Sequence, residues 1–205
     1  KPYHVAYCIV PDFGLTSLAV GLDLLRVANR MAGRQVFKWT VHSADGMPVR
    51  SSCGLSLGVD SRIPSPVQGQ NGPDPDLIFC VAAFSPERYC YPHLLRWLRS
   101  QRRRGAGIGG ISSGTYLLAA AGLLEGRSCT IHWEHQPLMA EQFPGVRLLA
   151  QLCVIDGDIY TCGGSSSVYD LMLNLIEEQT DSTIAARVAE QSVLSRIRKP
   201  EEPSR

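Results

Sequence analysis

Ala106-Gly-Ile-Gly-Gly-Ile-Ser-Ser-Gly-Thr-Tyr-Leu-Leu-Ala-Ala-Ala121 passes from a short apolar, glycine-rich run into an unbroken stretch of helix-forming residues. Ala106–Ile111 reads as a strand and residues 113–121 as a helix, with the serine pair at the tight turn between them. The same order stands at the start of the chain. Tyr3–Val10 is a β-rich apolar run closed by Pro11-Asp12, and residues 15–30 then repeat Leu18, Leu22, Leu25 and Val27 at helical spacing. Strands that each feed a helix predict an α/β fold, a mostly parallel sheet sandwiched by helices.

Outward from these two units, residues 36–42 and 77–82 read as further strands, and residues 55–59 as a short β segment. The run Leu77-Ile-Phe-Cys-Val-Ala82 is apolar throughout, as a strand buried on both faces requires. The proline-rich segment 62–76 has no periodicity and predicts a surface loop. A helix is expected over 86–103, strands over 127–131, 146–155 and 159–162, and helices over 165–179 and 183–194. The final residues are charged and proline-bearing. They divide the expectation into a main folded domain over residues 1–182 and a C-terminal helix and linker over 183–205.

With 205 residues, 44% of them hydrophobic and 19% charged, the chain is long enough for one domain with a sizeable core. A formal charge of +1 provides no field for nucleic acid or an anionic membrane. Arg102-Arg103-Arg104 ends a helix before Gly105, where cations complement the helix dipole, so the run reads as a solvated face. The seven cysteines are odd in number and hold no C-x-x-C pair, and several sit in apolar runs, as in a reduced, cytoplasmic protein. No stretch approaches the roughly 20 apolar residues of a membrane span. The histidines show no metal-ligand spacing, and no metal or cofactor is expected.

Gly110-Ile-Ser-Ser-Gly114 has the G-x-S-x-G form of a nucleophile elbow, which holds a serine at a strained turn above a sheet. A serine hydrolase also needs an acid and then a histidine further along the chain. Only His132 and His135 follow, and Glu125 is the one carboxylate between Ser112 and His132. A turn without chemistry explains the glycines as well. Downstream, Thr161-Cys-Gly-Gly-Ser-Ser-Ser167 precedes a helix and could hold an anion, but N-capping by Ser165 and Ser166 is the reading preferred.

Taken together, Gly109–Gly126, Thr130-Ile-His-Trp-Glu134, Phe143-Pro144, Asp156-Gly157, Thr161-Cys-Gly-Gly164 and Asp170-Leu-Met-Leu173 resemble the sensor half of AraC-type transcription regulators. That half carries a flavodoxin-like ThiJ/PfpI domain, related to class I glutamine amidotransferases. The likeness spans nearly the whole chain. Ile131-His-Trp-Glu134 is similar in particular to the regulators that respond to arginine, carnitine or glycine betaine. In the wider superfamily the elbow carries a cysteine, a histidine lies about twenty positions on, and an acid stands early in the first helix. Those positions fall on Ser112, His132 and Ser17, so two of the three depart from the enzymatic pattern. A serine hydroxyl needs a strong base to become a nucleophile, whereas a cysteine works through its thiolate.

The resemblance implies a catalytically degenerate sensor without turnover. It binds a small-molecule effector, pairs with a second copy of itself, and reaches DNA only through a helix-turn-helix domain beyond residue 205. The alternative is an active hydrolase, hydratase or glyoxalase-like enzyme using Ser112 and His132. The expected ligand-binding residues are Ser17, Ser112, Ser113, His132, Trp133 and Glu134. Ser112 and Ser113 would offer amides and hydroxyls to a carboxylate, and Trp133 with Glu134 would face a cation, which suits an amino-acid-like or betaine-like zwitterion. A core Trp133, with Glu134 merely starting the next helix, is the plain alternative. His132 equally reads as a hydrogen-bonded wall.

Overall fold

The computed structural model describes residues 1–63, 74–193, 198 and 202–203. In chain order, β1 (Tyr3–Ile9), α1 (Leu15–Ala32) and β2 (Phe37–Ser43) are followed by three two-residue strands: β3 (Val49–Arg50), β4 (Ser56–Leu57) and β5 (Ser61–Arg62). Then come β6 (Leu77–Ala82), α2 (Pro92–Arg103), β7 (Gly107–Ser112), α3 (Gly114–Ala120), β8 (Ser128–Cys129) and α4 (Gln136–Gln142). The rest is β9 (Arg147–Leu148), β10 (Cys153–Asp156), β11 (Ile159–Cys162), α5 (Ser167–Gln179) and α6 (Ser182–Gln191).

Seven strands form the main sheet in the order β10-β11-β7-β6-β1-β2-β5, and every pairing is parallel except β10 with β11. This is the flavodoxin-like arrangement expected from the sequence. Alternate residues of β1 go to opposite faces. Val5, Tyr7 and Ile9 pack with α1, α5 and α6, while Ala6 and Cys8 pack with α2 and α3. Both faces are thus covered, which is why the central strand β6 is apolar and buried throughout. Ala185, Val188 and Ala189 of α6 are buried in the first of these cores. Asp181 caps that helix by accepting the Ile184 amide at 2.9 Å.

Several expected elements are redrawn. The helix read over 86–103 is a 3-10 turn, Pro86–Tyr89, and then α2. Tyr91 is extended ahead of Pro92 (φ −59°, ψ 129°), because proline disfavours a helical residue before it. The strand read over 146–155 is two strands in different sheets, β9 on β8 and β10 on β11. Ser56–Leu57 does form a strand, paired with β3 outside the main sheet. Of the loop read over 62–76, residues 64–73 lie outside the described residues, and Ser61–Arg62 before them form an edge strand on β2. The arginine run has partners: Arg102 pairs with Asp158 and Arg104 with Asp74.

On the α2 side of the sheet, the Thr40 hydroxyl lies 2.9 Å from Nε2 of both His4 and His42, and His42 Nδ1 is 2.9 Å from the Ser61 hydroxyl. Two neutral rings satisfy this chain, one donating to Thr40 and one accepting from it. Burial lowers both pKa values, and with them that of His135. A histidine depressed in the folded state stabilises the fold above its unfolded pKa, about 6.5, and that stability drains away as pH falls below it. The urea midpoint is therefore expected to drop between pH 7.5 and 5.5, before the carboxylates titrate. An unchanged midpoint over that range would contradict the buried, neutral rings.

Candidate ligand-binding site

Four non-glycine residues take left-handed backbone angles at the carboxyl edge of the sheet. They are Asp12 after β1 (φ 61°), Ser85 after β6 (φ 45°), Ser112 at the end of β7 (φ 59°) and Ser165 after β11 (φ 52°). Each such residue costs about 1 kcal/mol or more, and strain of this kind gathers at functional sites. In open α/β sheets this is also the edge that forms the ligand crevice.

Ser112 is the elbow, buried at the strand end where β7 meets α3. The chain after β11 closes over it: a methyl group at Gly164 would stand 2.5 Å from Ser112 Cβ. Beneath, Cys162 lies among the Ser112 and Gly164 amides and the Ser167 hydroxyl, and burial pushes its thiol up to about 11. Ser17, early in α1, joins from the other side by accepting the Ser165 amide at 2.9 Å. The Ser17 hydroxyl thus fastens the loop after β11 to α1.

A cleft of about 230 Å³ opens beside this assembly, between His132 and Trp133 on one side and Leu152 with Gly163–Ser167 on the other. Two larger grooves, of about 580 and 530 Å³, follow the β10 edge and the amino-terminal edge of the sheet, away from the strained turns. Strand β8 ends at Cys129 and a 3-10 turn occupies Trp133–His135, so His132 and Trp133 both face the cleft despite being neighbours. Their rings are 5.5 Å apart. Trp133 is 41% exposed, which removes it from the core, and Glu134 brings a carboxylate oxygen 3.7 Å from His132 Nδ1.

The structure therefore places His132 and Trp133 in the cleft lining and Glu134 beside His132 but outside that lining, while Ser112 and Ser17 contact the Gly164–Ser165 loop of the opposite wall. Ser113 is fully buried, and its hydroxyl is already engaged. It donates to the Ala83 carbonyl at 2.6 Å and lies 3.0 Å from His135 Nδ1, which donates in return. Among the described residues no hydrogen bond joins Ser112 to His132; the imidazole that reaches the elbow belongs to His135. The sequence offered His135 only as one of two histidines after Ser112 and gave it no role, because its spacing from the elbow matches no pattern. The capping assigned to Ser165 and Ser166 is not found. Neither hydroxyl caps α5, because Ser165 is left-handed and its amide is drawn to Ser17.

The sequence pattern of the DJ-1/PfpI family matches residues 13–178. The chain belongs to the DJ-1/PfpI family. Within it, the chain is 39% identical over 192 residues to the HTH-type transcriptional regulator CdhR of Pseudomonas aeruginosa, covering 94% of this chain and 55% of that protein. It is 31% identical over 205 residues to the HTH-type transcriptional regulator GbdR of the same species, covering 100% and 54%. A solved AraC family transcriptional regulator from Pseudomonas putida superposes with a TM-score of 0.84 at 27% identity, covering 93% of this chain and 100% of that one. These DJ-1/PfpI relatives are transcription regulators, and this chain spans about half the length of the curated ones it matches.

Proposed function

We propose that this chain is the effector-sensing domain of an AraC-type transcription regulator, and that its effector is a small zwitterion of amino-acid-like or betaine-like form. The observation that carries the reading is the cleft itself. Its volume is below the roughly 300–1,000 Å³ of sites for drug-sized ligands, so it suits a small metabolite. Trp133 in the lining offers an aromatic face to a cation, and the exposed Glu134 beside His132 brings a negative charge close by. The Ser165 and Ser166 segment ahead of α5 offers polar groups to a carboxylate. On this reading the anionic end sits nearer the loop after β11 than the Ser113 hydroxyl. In the cytoplasm, paired copies of the domain would pass occupancy of the cleft to a separate DNA-binding domain like that of the HTH-type relatives.

The enzymatic alternative needs a base on the Ser112 hydroxyl, and the imidazole at the elbow serves Ser113 instead. Calorimetric titration of glycine betaine, carnitine and L-arginine into the wild type and Glu134→Gln tests the proposal. At least one should bind the wild type, and the variant should lose about tenfold or more, since about 1.4 kcal/mol of a charge-assisted contact is a factor of ten. Failure of all three beside tight binding of a neutral or anionic metabolite, or equal affinity for both proteins, would refute it.

A further inference from the structure

Three described C-terminal residues, Arg198, Glu202 and Pro203, contact the lining of the same cleft or residues next to it. The Arg198 guanidinium donates to Asp170 Oδ2 at 2.7 Å and to the Ser166 carbonyl at 2.8 Å, and the Arg198 amide reaches Asp170 Oδ1 at 3.3 Å. Further on, the Glu202 carbonyl accepts the Leu152 amide at 2.9 Å, and Pro203 pairs with Gln151. Ser166 and Leu152 both line the cleft, and the Leu152 carbonyl accepts the Gly163 amide of its floor at 3.2 Å. The cleft wall is thus held at two places, Ser166 by Arg198 and Leu152 by Glu202.

The first anchor is strong. The Asp170 side chain is only 4% exposed and stands near Cys162 beneath the elbow. A carboxylate so buried depends on its cation, and the forked guanidinium ties it to Ser166 in the same stroke. The second anchor is a backbone bond at the edge of the sheet. It needs no particular side chain at Glu202 and holds Leu152 in place beside Gly163.

We propose that Arg198, Glu202 and Pro203 anchor a strap whose docking fixes Ser166 and Leu152 in the cleft wall that faces His132 and Trp133. Docking of the strap and occupancy of the cleft then favour one another. The reason is preorganisation: a cleft lining already held in place leaves less disorder to remove when a ligand enters. Linkage makes the effect reciprocal, so a ligand in the cleft tightens the strap by the same factor. This rests on the sensor reading, and it gives that reading a route from cleft to C-terminal segment.

The test compares wild type, Arg198→Ala and Arg198→Lys in the 205-residue chain. Amide hydrogen exchange without any ligand should show Leu152 and Gly163 exchanging about tenfold or more faster in Arg198→Ala, with the central strand amides of Tyr7 and Phe79 unchanged. Arg198→Lys keeps the charge and loses the fork, so it should fall between. Titrated with glycine betaine and L-arginine, Arg198→Ala should bind whichever the wild type binds at least about tenfold more weakly. Unaltered exchange at Leu152 and Gly163 overturns the strap, and equal affinity in the two proteins overturns its coupling to the cleft. If neither zwitterion binds the wild type, the effector assignment falls and the exchange result alone decides the strap.

Discussion

Gly114→Ala is expected to remove about 4 kcal/mol or more of folding stability, enough to leave little soluble protein. A methyl group there would stand 1.9 Å from the Cys80 carbonyl oxygen and 2.6 Å from its carbon. Cys80 lies in the middle of β6, bonded to β1 on one side and β7 on the other, so that backbone cannot retreat. α3 must lift instead, and the fully buried Leu117 and Leu118 lift with it. Forced overpacking alone costs about 1–3 kcal/mol, and lost burial of two leucines adds to it. Gly58→Ala, where an added methyl meets nothing, is the control and should be near neutral in urea unfolding. A Gly114→Ala protein within about 1 kcal/mol of wild type would show that the elbow helix does not seat on β6 as described.

Gly164→Ala should cost about 3 kcal/mol and also weaken any effector of the cleft by about tenfold or more. Two terms combine. At φ 86° a side chain brings about 1–2 kcal/mol of left-handed strain, and the methyl would be 2.5 Å from Ser112 Cβ, which is itself held at φ 59°. The clash pushes the loop after β11 away from the elbow and carries Ser165–Ser167 out of register with His132 and Trp133. Gly33→Ala separates the terms, since φ is 64° there and an added methyl meets nothing. It should lose only the strain, about 1 kcal/mol, and keep glycine betaine or L-arginine affinity. Equal losses in the two variants would mean that Gly164 is needed for its backbone angle and not for its closeness to Ser112.

The fold was legible because its signals are local and repeated. Tyr3–Val10 and Leu77–Ala82 are apolar on both faces, and a parallel sheet between helices is what covers such strands. Boundaries failed where partners decide them: nothing within residues 146–155 announces that its two halves pair with different neighbours. The elbow was visible as a motif, and its left-handed serine is what such a turn demands. The site beyond it was only partly visible. His132 and Trp133 share a cleft because a 3-10 turn breaks their alternation, and strand logic places such neighbours on opposite faces. The Ser17 contact with Ser165 joins residues 148 positions apart, and Arg198 reaches Asp170 across 28, so no local pattern encodes either.

The four left-handed residues at the carboxyl edge have an evolutionary consequence. Asp12, Ser85, Ser112 and Ser165 hold angles that glycine adopts freely, so at each the backbone by itself would favour glycine. Laboratory selection for heat tolerance alone would drift toward glycine at these points and loosen the turns that shape the cleft. Descendants would be hardier and would hold the shape of the cleft less well, because robustness and cleft geometry draw on the same few backbone angles.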